Sequence, residues 1–127
     1  MRRAFLHEKK TPTFAIVAED WFKHKQPNIL ATIYEMYEGH VRNHFEDLDQ
    51  LKINMIAIAT IEKWIGLRQD EKMPLGTLRR LIVTLNQIMT YAVRHRLTDN
   101  NPVRDVERPR KTIYDDRYGK ITVLNPE

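Results

Sequence analysis

The stretch Gly76-Thr77-Leu78-Arg79-Arg80-Leu81-Ile82-Val83-Thr84-Leu85-Asn86-Gln87-Ile88-Met89-Thr90-Tyr91-Ala92-Val93-Arg94-His95-Arg96 decides the fold. Leu78, Leu81, Ile82, Leu85, Ile88, Met89 and Ala92 recur three and four residues apart, which gathers them on one wide side of a helix. Arg79, Arg80, Asn86, Gln87 and Arg94 fall opposite. The pattern predicts a helix from about Gly76 to Arg96 with one face committed to a core and the other left polar and basic. Asp99-Asn100-Asn101-Pro102 follows with the chemistry of a turn.

Three more helices are predicted upstream. Phe14, Val17, Ala18, Trp21 and Phe22 keep helical spacing from about Thr13, and Gln26-Pro27-Asn28 ends that run because proline disfavours helical geometry in the residue before it. A second helix runs from about Thr32, read as its cap, to Phe45, with Ile33, Met36, Tyr37, His40, Val41 and His44 in one stripe. A third runs from about Ala57 to Arg68, with Ile58, Ile61, Trp64 and Ile65 inward. The expected fold is all-α with four helices over residues 13–106. Residues 1–12 read as an arm or linker. Residues 107–127 read as an extended strap or linker, with Ile121-Thr122-Val123-Leu124 as a short strand and Asn125-Pro126-Glu127 as the start of a further helix, which implies a longer parent.

Composition narrows the function classes. With no cysteine, the chain has no disulfide and no thiolate metal ligand, which suits a reducing cytoplasm, the expected location. No run approaches the length of a membrane span, so no membrane partner is expected. The net charge is +4, and it is uneven. Arg94, Arg96, Arg104, Arg108, Arg110 and Lys111 outnumber Asp99, Asp105 and Glu107; Arg2, Arg3, Lys9, Lys10, Lys23 and Lys25 outnumber Glu8, Glu19 and Asp20. Two basic flanks around a near-neutral middle suit a domain that lies along a polyanion.

Catalytic and metal chemistry find little support. His40 and His44 stand four apart, a spacing that can hold a metal, but zinc needs three or four ligands and both lie on an apolar stripe. They read as core or half-buried histidines. Tyr34, Tyr37, Tyr91, Tyr114 and Tyr118 gather no acid–base or oxyanion partners around them. Four isolated glycines exclude the common nucleotide-binding fingerprints. No cofactor and no enzymatic activity of this chain are expected. The helix starts are more informative: Asn28-Ile29-Leu30-Ala31-Thr32 and Met73-Pro74-Leu75-Gly76-Thr77 each lead into a helix whose unpaired N–H groups suit phosphate, with hydroxyls at Thr32 and Thr77 and charge at Arg79 and Arg80.

The pieces also carry a resemblance. They are Thr13-Phe14-Ala15-x-x-Ala18-Glu19-x-Trp21, Tyr37-x-Gly39-x-x-x-Asn43-His44, Ile56-x-x-x-x-Ile61-Glu62-Lys63-Trp64, Thr77-Leu78-Arg79-x-x-x-x-x-Leu85-x-x-x-Met89-x-Tyr91-Ala92-Val93-Arg94, Asp99-x-Asn101-Pro102-Val103 and Glu107-Arg108-Pro109-Arg110. In this order and spacing, from Thr13 to Arg110, the chain resembles the core-binding domain of tyrosine recombinases, the phage-integrase family. The resemblance implies a SAM-like four-helix unit joined by a strap to a catalytic domain, the two clamping double-stranded DNA at the recombination core site. It implies that the second and fourth helices face DNA, that the nucleophile and its partners lie in the catalytic domain, and that other protomers join in a synaptic complex. Ala57 stands where the family often has Thr, Asp or Asn, and Leu75-Gly76 replaces the usual Ser-Pro or Pro-Lys. Thr32, Thr77, Arg79, Arg80, Arg94, Arg108, Arg110 and Lys111 are the expected DNA-binding residues. The alternatives are a helical protein–protein interaction module whose basic flanks serve solubility, and a metalloenzyme built on His40 and His44.

Overall fold

The apolar face read between Leu78 and Ala92 becomes the spine of the molecule. The computed structural model describes residues 11–110, and among these the architecture is all-α, with four α-helices. They are α1 (Phe14–Lys25), α2 (Ala31–His44), α3 (Ile58–Asp70) and α4 (Leu75–Arg94); short 3-10 turns lie between α1 and α2, between α2 and α3 and after α4, and a tight turn joins α3 to α4. A single antiparallel bridge, Thr13 to Lys52, is the extended pairing among the described residues. Lys111, the expected strand at Ile121–Leu124 and the helix start at Asn125 lie outside the described residues.

Every residue of the expected α4 stripe is buried, together with Thr84. Phe14, Val17, Ala18, Trp21 and Phe22 of α1 and Ile61, Trp64 and Ile65 of α3 complete the core with Phe45, Leu48, Ile53, Ile56, Val103 and Val106 from the connections. Phe45 stacks edge-on against Phe14 at 5.6 Å and tilts against Trp64 at 5.4 Å. It sits just past the end of α2, not inside it, and its ring ties α1 to α3.

Helix α2 departs from expectation. None of its residues is fully buried, and Ile33 and Met36 of the predicted stripe are 36% and 38% exposed. The start differs too. Leu30, extended at φ −70° and ψ 152°, precedes a helix that begins at Ala31, so Thr32 is its second residue and caps nothing. Ala31, the best helix former, starts the turn sooner than the hydroxyl signal implied. At α4 the fixed φ of Pro74 sets the entry, the helix begins at Leu75, and Thr77 is its third residue with no capping bond. Ile58, expected inward, is 41% exposed because it is the first residue of α3; Ile56, just before it, takes the core position. Ala57 cannot cap, and Thr60 Oγ1 instead accepts from the Ala57 N–H at 3.2 Å.

Buried polar side chains fix the ends of the elements. Asn101 Nδ2 donates to Asn86 Oδ1 at 2.8 Å and to Thr90 Oγ1 at 3.2 Å, while its Oδ1 accepts from the Val103 N–H at 3.0 Å. The turn after α4 is thereby pinned back onto α4, and Asn86, expected on the solvent side, is half-buried as its partner. Upstream the chain is bonded to the body from Thr11 onward: Lys52 Nζ donates to the Thr11 carbonyl at 3.1 Å, and the Ile53 N–H to the Pro12 carbonyl at 2.9 Å.

Candidate nucleic-acid interface

Helix α4 is flanked by α2 on one side and by the Asn101–Arg104 turn on the other. Gln87 Nε2 donates to the Tyr37 hydroxyl at 3.3 Å, and the His40 ring meets Thr84 Oγ1 at 3.0 Å. Residue numbers rise along α2 as they fall along α4, so the two helices run antiparallel. At 3.6 residues per turn, Arg79, Val83, Thr90 and Arg94 then line one outer ridge of α4, with Arg80 on the α2 side of it. Arg79 and Arg94 stand fifteen residues apart, about 22 Å at 1.5 Å per residue. Arg79, Arg80 and Arg94 are exposed, and none of them makes an ion pair with a described residue.

The other candidates are placed elsewhere. The antiparallel pairing sends the start of α2, with Thr32, to the far end from Thr77, so the two helix N-termini do not converge. Thr77 itself lies roughly 160° around α4 from Arg79, off the ridge. Arg108 Nη1 donates to the carbonyls of Val103 at 2.6 Å and Val106 at 3.1 Å, closing the turn before it. Arg110 meets Glu107 at 3.4 Å, and both line a groove against Glu62, Ile65 and Gln69 of α3. That is a different side from the α4 ridge. Arg104, absent from the sequence-based set, lines an open hollow with Arg94, Thr90 and Asp99. Its one sequence signal was membership of the basic run.

At the seam between α2 and α4 lies an arrangement that sequence reasoning missed. Thr84 Oγ1 donates to the Arg80 carbonyl at 3.2 Å. A hydroxyl has one proton to give: when it goes to the Arg80 carbonyl, Thr84 accepts toward His40 and the ring carries its proton on Nδ1; the 3.0 Å contact itself fits either tautomer. Burial, then the neighbouring His44 and Arg80, hold the His40 imidazole below its ordinary value of 6.5. Beneath the end of α2, Trp64 Nε1 and Arg68 Nη1 both donate to the His44 carbonyl at 2.8 Å, and Arg68 Nη2 reaches Asp47 at 2.9 Å and Glu71 at 3.0 Å.

Among the described residues the tyrosines sit in packing contacts. Tyr91 stacks on His95 at 4.2 Å and near His24 at 5.6 Å, but burial, then Asp20, push its hydroxyl above the ordinary value, away from nucleophile chemistry. Tyr34 and Tyr37 pack against Phe22 and Trp21; Tyr114 and Tyr118 lie outside the described residues. Among the described residues no three His, Cys, Asp or Glu side chains gather to hold a metal ion, and no helix is long and apolar enough to cross a membrane.

The geometry defines an all-helical domain with a basic outer ridge. No protein-family model and no curated protein matches the chain. Among solved structures it is similar to the solution NMR structure of a fragment, residues 61–160, of a Clostridium leptum protein, with a TM-score of 0.70 and 26% identity over 80% of this chain and 92% of that one.

Proposed function

We propose that this chain is the DNA-gripping, non-catalytic module of a site-specific recombinase of the tyrosine type. In this reading it works in the cytoplasm, holds one half of a core site, and positions a tethered catalytic domain within a synaptic complex of several protomers. The observation that carries the reading is the outer ridge of α4, where Arg79, Arg80 and Arg94 are exposed without acidic partners among the described residues. The ordered motif resemblance from Thr13 to Arg110 supports it. Phosphate contacts supply most of the grip and little of the sequence readout.

With Arg104 beside Arg94, across a hollow that Asp99 and Asp105 also line, four exposed cations lie near α4. Neutralising about four phosphates gives a log–log salt slope near −3.6, at roughly −0.9 per phosphate, and a lone module binds at about 10⁻⁴–10⁻⁶ M. Fluorescence anisotropy with duplex DNA over a salt series is the test. The double substitution Arg79→Ala, Arg80→Ala is expected to weaken binding and flatten the slope by up to about two units, while the circular dichroism stays unchanged because both side chains lie off the apolar face. Salt-independent binding, or a double variant that binds like the parent, removes the reading.

A second reading, a helical protein-interaction module, is favoured by the apolar side chains left uncovered along α2: Leu30 at 73% exposure, with Ile33 and Met36. It predicts no duplex binding and loss of a protein partner on Met36→Glu.

A further inference from the structure

We propose that His40 and Arg80, one on each side of the α2–α4 seam, form a single seat for a DNA backbone phosphate, and that protonation of His40 sets how tightly the seat holds it. This inference rests on the DNA-binding reading and deepens it by naming a contact and its control.

Geometry carries the argument. Thr84 Oγ1 lies 3.0 Å from His40 Nδ1 and 3.2 Å from the Arg80 carbonyl one turn away, so the imidazole of α2 is held against the turn of α4 that bears the Arg80 guanidinium. With Nδ1 committed to Thr84, Nε2 is the nitrogen left for a proton and for an incoming anion. The groups that face this ring are His44 on its own helix, Arg80 on α4, and the Tyr37 ring at 6.4 Å. Among the described residues no carboxylate is one of them. In the free protein partial burial, then His44 and Arg80, all oppose a positive charge on His40. A phosphate oxygen in the seat reverses that balance: it neutralises Arg80 and accepts from a protonated Nε2. Proton and phosphate therefore bind with positive coupling, and by reciprocity duplex affinity rises as the pH falls. Below the ordinary imidazole range the seat offers two positive donors; above it, Arg80 alone.

Fluorescence anisotropy with duplex DNA at fixed salt, from pH 8 to pH 6, tests this on the full chain. The parent is expected to tighten by about 3- to 10-fold, since one coupled proton sets a ceiling of about tenfold per pH unit. His40→Gln, which keeps an amide donor for Thr84 but cannot titrate, should bind at the parent's pH 8 affinity throughout. The double substitution His24→Gln, His95→Gln, at the opposite end of α4, should keep the full pH response. NMR titration of the His40 ring should show its pKa rising when duplex is added. Duplex binding that depends on salt but not on pH overturns the seat and leaves the DNA-binding reading standing. So does a pH response that survives His40→Gln or vanishes with His24 and His95. A chain that binds no duplex at any pH overturns both, and a His40→Gln protein that loses its helical circular dichroism is replaced in the assay by the NMR titration of the parent.

Discussion

Helices α4 and α2 both show a stripe at helical spacing in sequence, purely apolar in α4 and interrupted by His40 and His44 in α2, and they live differently in the fold. The α4 stripe is buried from Leu78 to Ala92, while α2 has no fully buried residue. Their ends differ in the same sense. Helix α4 closes with its own backbone: Arg96 turns to φ 61°, its N–H reaches the Val93 carbonyl at 3.0 Å, and the Leu97 N–H reaches the Ala92 carbonyl at 2.8 Å. Helix α2 is closed by others, through Trp64 and Arg68 on the His44 carbonyl. A periodic stripe thus says which face of a helix can be apolar. How deeply that face sinks depends on what the rest of the chain brings to it.

The contrast is easiest to break in the core. Leu85→Ala, at a site with no exposure in the middle of α4, is expected to cost about 2–5 kcal/mol, whereas Met36→Ala on α2 should cost less than about 1 kcal/mol. Urea unfolding of the two variants measures this, and equal losses would mean that α2 is as deeply seated as α4. A smaller effect tests the borrowed end. Arg68→Ala removes a donor to the His44 carbonyl and the partner of Asp47 and Glu71. A loss of about 2 kcal/mol is expected, the scale of hydrogen bonds to charged groups. Hydrogen exchange should quicken most in the last turn of α2; uniform quickening across all four helices would contradict a local role. The smallest effect runs the other way. Left-handed geometry costs an L-residue roughly 1–2 kcal/mol that glycine avoids, so Arg96→Gly should stabilise the protein by up to about 1 kcal/mol, net of the larger chain entropy glycine brings to the unfolded state. A lower thermal midpoint for Arg96→Gly would show that the arginine side chain itself holds the end of α4.

Much of the fold was legible beforehand because burial on one face forces a period. The stripes of α1 and α4 were read residue by residue, and all of those residues are core. Helix starts were misread by one or two positions. A threonine near a helix start signals a cap only if the chain enters at it, and Leu30 and Pro74 provide the entry here. The candidate interface was legible in part: Arg79, Arg80 and Arg94 share an outer face because helical spacing alone puts them there. Arg108 belongs to a turn instead, since it folds back onto carbonyls only two and five residues of chain away. Arg104 was left out of the set, and His40 was read as half-buried, as it is, without its contact to Thr84, since neither placement has meaning without its neighbour across a loop or a seam.

By itself the sequence determined four helices, the core faces of two of them, and a basic outer side to α4, because these follow from local period and charge. Only the tertiary structure decided that α2 runs antiparallel to α4, that Thr32 and Thr77 lie at opposite ends, that Asn101 pins the turn after α4, and that His40 meets Thr84 beside Arg80. The contacts behind them join residues from 11 to 50 positions apart. Their energies depend on distance and on which donor faces which acceptor, and no periodicity along the chain encodes either.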